Sequence, residues 1–446
     1  MTHMIPAARR RARFLAGAAL LAGIAACSDS FLAAENPGAI EEPDVNNPAY
    51  VNLIANWPIG AFQDAQDDVT YWTGQFTDEI WNREVFVEEA EIDRRDMRPD
   101  MTYFGAFTYT PMQRARFAGE EAGRRLRTIL GDTASRDLRV ARAAAYAAMS
   151  YVYLGEMLCE TPIDLSAPKS SAQIFADAIT RFQEAITVAN ANKAYLQTLP
   201  PSTAVTNAIA AADTIRYFAT VGAARAALNR NDLTAVNSLL TAIPVPAAFN
   251  FYAWYSNNTT AQHHRVYNRL QVGSSGTMLN EPFFAKTGDP RIPRIVSTTA
   301  TNGKPLSPSS YTSWNNTVAG AVLTPDLGHR IASGLEAQYI THEANPNTPA
   351  AVAFLDARRA VGLQGPAGIT AGNTAAVLAE LREQRSRDFY LDGHRLGDLR
   401  RYLEFYNINL FPQGAYPGST SGAAYNANGT CWPLPTAEIN GNPNIP

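Results

Sequence analysis

An arginine-rich segment near the end of the chain holds the densest group of side chains that could do chemistry. Residues 382–402 read REQRSRDFYLDGHRLGDLRRY and contain six arginines and four carboxylates. Guanidinium groups in such numbers could bind phosphate or nucleic acid, and paired acids could serve a hydrolase. The same residue types, three and four apart on a helix, could instead form interleaved ion pairs that fix geometry. The nearly balanced charge favours this structural role over a phosphate site.

The net charge of the chain argues against a nucleic-acid partner. The whole chain carries −4, and its first 26 residues hold four arginines and no acid. If that segment is removed, −4 becomes −8. Contacts to nucleic-acid phosphates need positive surface, so an acidic protein is a poor candidate for this class of ligand.

No sequence motif indicates catalysis, a metal or a cofactor. The chain has no HExxH, no P-loop, no GxSxG and no dinucleotide fingerprint. The pair His263-His264 is expected to face solvent. Paired acids such as Asp67-Asp68, Asp78-Glu79 and Glu88-Glu89 could serve a glycosidase, but nothing in the sequence sets two of them at the required separation. The chain is therefore not expected to be an enzyme.

The first 26 residues have the pattern of a bacterial lipoprotein signal peptide. A cluster of arginines precedes the apolar run Phe14–Ala26, which is too short to span a bilayer and ends in Ile-Ala-Ala-Cys. This pattern predicts a signal peptide over 1–26 and acylation of Cys27. An ordinary signal peptide is the alternative. Residues 27–48, rich in Pro, Asn and acids, are then expected to be a lipidated flexible tether.

The remaining two cysteines form a candidate disulfide. The chain has three cysteines, and lipidation of Cys27 would leave Cys159 and Cys431 in an oxidising compartment. A bond between them is the favoured interpretation, and two buried free thiols are the alternative.

Helical periodicity dominates the first half of the chain. Apolar residues three and four apart predict four helices, namely Arg116–Leu130, Leu138–Leu158, Ala172–Ala189 and Thr214–Leu228. A tetratricopeptide-like pattern of small, large and small residues recurs in three places, at Ala178-Phe182-Ala185, Ala235-Leu239-Ala242 and Ala350-Phe354-Ala357. Gly155 and Gly222 stand where the first helix of a repeat packs closely. Unrelated amphipathic helices are the alternative.

The stretch from Pro244 to Arg330 has a different composition. It is rich in Asn, Ser, Thr, Pro and aromatic residues, and little helical period survives there. Long loops with a few short strands are expected. The expected fold is mainly α, with a tetratricopeptide-like helical core and a long loop-rich region. Loops of this length are usually functional or disordered, and the aromatic content argues against disorder.

Motifs along nearly the whole chain resemble those of the SusD/RagB family of nutrient-binding outer-membrane lipoproteins. The arginine-rich segment resembles the family pattern ER-x-x-E-L-x-x-E-G-x-R-x-x-D-L-x-R, with Gln384 in place of a glutamate. The matching structural residues are Arg385, Asp388, Asp392, Gly393, Arg395, Asp398 and Arg401. Other matches are Cys27-Ser-Asp-Ser-Phe-Leu32, Asp289-Pro290-Arg291, Leu355-Asp356-Ala357-Arg358 with Gly362-Leu363, and Pro433-Leu434-Pro435 with Glu438 and Asn442-Pro443-Asn444.

The resemblance implies a function at the outer membrane. Members of the family pair with a TonB-dependent transporter and act as a hinged lid that hands over a glycan or peptide. This implies an N-terminal SusD-like helical region over 49–245 and a C-terminal region with ligand-binding loops over 246–446. It also implies a lipid-anchored protein that faces the cell exterior. A scaffold lipoprotein that only binds other envelope proteins is the alternative.

Aromatic side chains among polar loop residues are the candidate ligand contacts. Sugars offer C–H faces to aromatic planes and hydroxyls to amides and charged groups. The aromatic candidates are Trp254, Trp314, Tyr255, Tyr311, Tyr252, Trp81 and Trp72, and the amide candidates are Asn257, Asn315 and Asn316. Trp254 and Trp314 are favoured because their neighbours are polar. Trp432, beside the proline-rich ending, is expected to pack in the core.

Overall fold

The protein is mainly α-helical, as the sequence predicts. The computed structural model describes residues 45–445 except 82–85, 272–277, 280–288, 293–299, 302–303, 306–323 and 417–421. The helices are α1 Val51–Phe76, α2 Val87–Asp93, α3 Thr110–Leu130, α4 Leu138–Met157, α5 Ser171–Leu196, α6 Thr203–Leu228, α7 Leu233–Ala242, α8 Arg265–Gln271, α9 Gly334–Ala344, α10 Pro349–Val361, α11 Thr374–Asp388, α12 Arg395–Tyr406 and α13 Thr436–Gly441. A helical turn, Thr102–Phe104, and a π-helical segment, Gly105–Tyr109, lead into α3.

The strands are short and pair two by two. They are β1 Ile80–Trp81, β2 Glu160–Thr161, β3 Lys169–Ser170, β4 Asn250–Ala253, β5 Met278–Leu279, β6 Ala300–Thr301, β7 Lys304–Pro305 and β8 His329–Ser333. All four pairs are antiparallel: β1 with β5, β2 with β3, β4 with β8, and β6 with β7. In the longest ladder, Asn250 pairs with Ser333 and Ala253 pairs with His329, with an irregularity between Phe251 and Tyr252.

Consecutive helices pack as the helical pairs of a repeat, as the tetratricopeptide-like pattern of small, large and small residues predicts. The three predicted second helices lie in α5, α7 and α10, which follow α4, α6 and α9 along the chain. Helices α4 to α7 pack each against the next, and α9 packs against α6 and α7. A Cβ atom on Gly155 would approach the Phe175 ring within 2.7 Å, and one on Gly222 would overlap the Phe182 ring. Glycine therefore permits both close approaches, because any larger residue would separate the helices.

Local caps mark where two of the predicted helices begin. Helix α5 begins at a capping box in which Ser170 and Gln173 bond to each other's backbone amides. It runs seven residues beyond the predicted end at Ala189. Helix α6 begins eleven residues before the predicted Thr214, because the Ser202 hydroxyl accepts the amide of Val205.

Helix α1 is not anticipated from the sequence, although it is one of the three longest helices described. Its residues mix polar and apolar types, and Pro58 lies within its first half. A proline removes one backbone donor from a helix and argues against a helical assignment. The second half is buried almost without interruption from Ala65 to Phe76. Helix α1 packs against α3 and α4 and places the polar residues of its exposed side next to the loop that follows β4.

The predicted disulfide joins Cys159 to Cys431, with 5.1 Å between the Cα atoms. The amide of Cys159 donates to the carbonyl of Trp432 at 2.9 Å, and the amide of Trp432 donates to the carbonyl of Met157 at 2.9 Å. Trp432 is fully buried and contacts Phe76 edge-on, as expected for a packing residue. The C-terminal segment is thus attached to the end of α4.

The region from Pro244 to Arg330 contains only short elements joined by loops where the structure describes it. The short strand β4 is followed by loop, by a 3₁₀ turn at Thr260–Gln262 and by α8. Helix α8 was not predicted, since seven residues are too few to establish a helical period. Among the helices in the described ranges, none combines the length and the apolar character that crossing a membrane requires.

Candidate functional site

Trp254 stands at the edge of a groove between α1 and the loop that follows β4. The strand ends at Ala253, and the next side chain is 63% exposed. A Cβ atom on Gly328 would lie 2.8 Å from the Trp254 ring, so the bare glycine backbone supports one side of the indole. Tyr252 lies beside it, with ring centroids 5.2 Å apart. An exposed indole fixed in this way presents a flat apolar surface to the solvent.

The groove has a volume of about 360 Å³ and a lining of mixed polar and apolar surface. Helix α1 contributes Gly60, Gln63, Asp64 and Asp67, and the loop contributes Trp254, Tyr255, Ser256, Ala261, Gln262, His263 and Arg265. Asp64 is exposed, and its carboxylate lies 3.6 Å from the guanidinium of Arg265. The groove thus combines the exposed plane of Trp254 with several hydrogen-bonding groups.

Tyr255 and Asp67 hold the two walls of the groove together. The Tyr255 hydroxyl lies 3.1 Å from the carbonyl of Gln63 and 3.2 Å from Oε1 of Gln66, so it donates into α1. Oδ2 of Asp67 accepts the amide of Arg265 at 2.8 Å. Burial, together with the neighbouring charge of Asp68, raises the pKa of Asp67 well above its usual range. These contacts fix the loop on the helix.

Two stacked histidines form a buried layer behind the groove. The rings of His264 and His329 are parallel within 7°, and Nε2 of His264 lies 3.2 Å from Nδ1 of His329. Burial lowers the pKa of His264 well below its usual range and that of His329 to about 4. Both imidazoles are therefore neutral at neutral pH. The expectation that His264 faces solvent is wrong, because Tyr255 covers its ring at 4.8 Å.

The structure places the predicted ligand contacts in very different surroundings. Trp254 and Asn257 are exposed, whereas Tyr252 and Tyr255 are half-buried. Trp81 pairs with Met278 through its backbone. Trp314, Tyr311, Asn315 and Asn316 lie outside the described residues, as does the side chain of Trp81.

The prediction for Trp72 is wrong. Its side chain is fully buried and lies against Phe107, with the rings stacked 6.3 Å apart, and against Tyr103. The residue belongs to the buried half of α1, so a ligand cannot reach it. Its polar sequence neighbours suggested exposure, but they are buried with it and hydrogen-bonded within the helix.

The arginine-rich segment is a buried network of ion pairs away from the groove lining. Asp388 accepts hydrogen bonds from Arg358 and Arg291, and Asp392 accepts from Arg330 at 2.7 Å. Burial opposes ionisation of Asp392, but the charges of His394 and Arg330 outweigh it and hold its pKa at about 2. Asp392 therefore stays ionised, and the two acids connect α11 and the turn that follows it to distant parts of the chain.

The second half of the segment is equally buried. Arg385 and Arg401 both donate to Asp398, at 2.7 and 2.8 Å. Arg395 forms a two-pronged pair with Asp78, with both distances 2.6 Å. Gly393 has a φ of +80°, and a Cβ atom there would lie 2.9 Å from the Thr70 hydroxyl. Nothing in this arrangement leaves an open cluster of cations for a phosphate.

The paired acids considered for hydrolysis are used in structural contacts. Asp78 pairs with Arg395, and Glu79 accepts the amide of Leu391 at 2.9 Å. Glu88 accepts the amides of Thr102 and Tyr103 at 3.0 Å. Within the described part of the chain, no group of His, Cys, Asp and Glu is arranged to hold a metal ion.

The groove residues on α1 are the functional candidates that the sequence missed. Gln63, Asp64 and Asp67 lie about 190 positions before Trp254 in the chain, and α1 itself was not predicted. A signal was present in the spacing, since Gly60, Asp64 and Asp67 recur on one face of a helix. Because α1 was not predicted as a helix, the spacing could not be read as a shared helical face.

Comparison with solved structures shows which fold this is. A surface glycan-binding protein A from Bacteroides uniformis superposes with a TM-score of 0.61 and 12% identity, covering 89% of this chain and 98% of its own. A SusD superfamily protein from Bacteroides vulgatus gives 0.57 and 16%, covering 91% and 99%. A laminarin-binding SusD-like protein gives 0.56 and 14%, covering 88% and 98%.

The chain therefore has the SusD-like fold over about nine tenths of its length. Compared by sequence, neither a family model nor a curated protein matches it. The fold and not the sequence carries this similarity.

Proposed function

We propose that this protein is a nutrient-binding lipoprotein that captures a glycan in the Trp254 groove. The observation that carries the proposal is the 63% exposed indole at the edge of a groove of about 360 Å³ that also holds hydrogen-bonding side chains. Tryptophan is highly buried on average, so an indole with one face free beside a groove is a candidate binding surface. The ring faces of a sugar stack on such a plane, because their C–H bonds are polarised toward the π electrons.

The polar lining supplies partners for sugar hydroxyls. Asp64 accepts, Arg265 donates, and the side-chain amides of Gln63 and Gln262 can do both. The groove is shaped before binding, because Tyr255 and Asp67 already tie the loop to α1. A preformed site loses less entropy on binding than a flexible one.

The names of similar structures support a glycan over a peptide. One is called a surface glycan-binding protein and another a laminarin-binding protein. The candidates Trp81, Tyr311, Trp314, Asn315 and Asn316 stay predictions, as do Tyr252 and Tyr255. A peptide ligand remains the alternative within the same function.

The location and the partner follow from the N-terminal pattern and the resemblance. Acylation of Cys27 would anchor the chain in the outer membrane, and the residues up to position 48 would serve as a tether. A TonB-dependent transporter is the proposed partner, with this protein as a hinged lid on the cell exterior that delivers the glycan to the barrel. No catalysis is included in the proposal.

Affinity electrophoresis tests the glycan site. Native gels containing laminarin, soluble starch, xylan, pectin or arabinogalactan should show that at least one polysaccharide retards the protein. Trp254→Ala should abolish the retardation and Trp254→Phe should keep part of it. Tyr195→Ala is the matched control, because Tyr195 is 41% exposed on α5, which contributes nothing to the groove. If no polysaccharide retards the protein, the glycan proposal fails.

Co-purification tests the transporter. The acylated protein, isolated from outer membranes by an affinity tag, should bring a TonB-dependent barrel in near-equal amount, as seen by mass spectrometry. Cys27→Ala should release the protein from the membrane fraction. Recovery of periplasmic proteins without any barrel would contradict the lid and support the envelope scaffold instead.

A further inference from the structure

A second exposed aromatic surface lies one helical turn before the groove. Trp57 on α1 is 43% exposed and Phe117 on α3 is 48% exposed. Their rings meet edge to face with centroids 6.1 Å apart. Leu53, one turn earlier on α1, is also exposed. Such a group is larger than the single exposed apolar residues that any surface carries.

This surface and the groove share one face of α1. Leu53, Trp57, Gly60 and Asp64 follow one another at spacings of four, three and four residues, which places them on one stripe of a helix. Gly60 and Asp64 line the groove. From Trp57 to Asp64 the helix advances ~10 Å. The two aromatic surfaces are thus joined by a continuous strip of α1.

Gly60 leaves the middle of this strip without a side chain. It is exposed in the middle of a long helix, where glycine is less stable than alanine. A Cβ atom at this position would meet nothing within 4 Å, so packing does not require glycine. The effect of the missing side chain is that nothing projects between Trp57 and the groove.

The polar neighbours of the second surface fit a sugar. Asn56, next to Trp57 in the chain, and Asn52, one turn earlier on α1, are both exposed. Helix α1 contains no lysine or arginine, so it lacks the basic residues with which a helix holds an anionic lipid surface. Aromatic rings flanked by amides and an acid repeat the combination found around Trp254.

We propose that the groove continues past Gly60 to Trp57 and Phe117, so that the protein binds an extended chain of sugar residues along α1. This inference rests on the proposed function and specifies its ligand class. A short oligosaccharide fills the groove at Trp254 alone. A longer one also stacks on Trp57, and its affinity is higher for that reason.

Calorimetry with oligosaccharides of graded length tests the inference. The probes are the dimer, tetramer and hexamer prepared by partial hydrolysis of whichever panel polysaccharide retards the wild-type protein. Trp57→Ala should weaken binding of the hexamer about tenfold, as expected for one aromatic contact, and leave the dimer unchanged. Gly60→Leu should also weaken binding of the hexamer, because its side chain obstructs the strip. Tyr195→Ala, on a helix that contributes nothing to the groove, should leave both affinities unchanged. Circular dichroism melts verify that each variant is folded.

The outcomes separate the two proposals. An unchanged hexamer affinity in both Trp57→Ala and Gly60→Leu overturns the extended site and leaves the Trp254 groove intact. Equal affinities of wild type for dimer and hexamer overturn it as well. Equal losses for dimer and hexamer in Trp57→Ala would show a general disturbance of the groove and would also contradict a separate second surface. Failure of every polysaccharide to bind wild type removes the proposed function and this inference together.

Discussion

Replacement of Asp398 by asparagine should destabilise the folded protein by several kcal/mol. The carboxylate is buried and accepts from Arg385 at 2.7 Å and from Arg401 at 2.8 Å. Burial opposes its ionisation, but these two guanidinium groups outweigh burial and hold its pKa well below the usual range. Asparagine keeps the shape of the side chain but removes the charge. The change therefore leaves two buried cations less compensated.

The structure indicates how large the effect should be. Arg401 retains Glu343, whose carboxylate lies 2.9 Å away. Arg385 pairs with no other carboxylate in the part of the chain that the structure describes. Breaking a buried ion pair on one side costs about 3–5 kcal/mol, because the remaining charge stays buried. For a body of about 400 residues this corresponds to a melting midpoint roughly 4–6 °C lower.

Urea unfolding followed by tryptophan fluorescence measures the change, with the disulfide kept oxidised. Asp100→Asn is the matched control, because Asp100 pairs with Arg98 but its side chain is 70% exposed. That control should stay within about 0.5 kcal/mol of wild type. A loss below about 1 kcal/mol for Asp398→Asn would refute the reasoning that the network depends on each of its charges.

Further predictions concern pH, the disulfide and helix packing. The folded pKa of Asp392 is about 2, below its unfolded value near 4, so the ionised carboxylate stabilises the fold above pH 4 and loses this effect as pH falls toward 2. Asp392→Asn should therefore flatten the dependence of the melting midpoint on pH in that range. Cys159→Ser with Cys431→Ser should cost about 2–5 kcal/mol of unfolding free energy in urea, since the bond closes a separation of 272 residues; an unchanged midpoint would exclude a bond in the folded protein. Gly222→Ala should lower the melting midpoint because the new methyl group overlaps the Phe182 ring, and a companion Phe182→Leu should recover part of the loss.

The repeat helices could be predicted because their signals are local. In Ala178-Phe182-Ala185 the small and large residues that pack between helices also set the helical period. One short segment therefore predicts both the helix and its packing face. The close-packing role of Gly155 and Gly222 follows from the same pattern. The resemblance in the arginine-rich segment likewise rested on residues within one short stretch. The pairing of Cys159 with Cys431 could be predicted because lipidation of Cys27 leaves two cysteines, and an oxidising compartment favours a bond between them.

The groove was decided by the tertiary structure. Its walls come from α1 and from a loop about 190 residues later, and no local pattern connects Gln63 with Tyr255. Trp72 and Trp254 are both tryptophans among polar neighbours, yet one is buried and the other is 63% exposed. Their sequences cannot distinguish them, because burial depends on what packs against a helix. The sequence by itself determined the repeat helices and the residue types that could bind a sugar. Only packing between distant segments decided which of those residues reach the solvent.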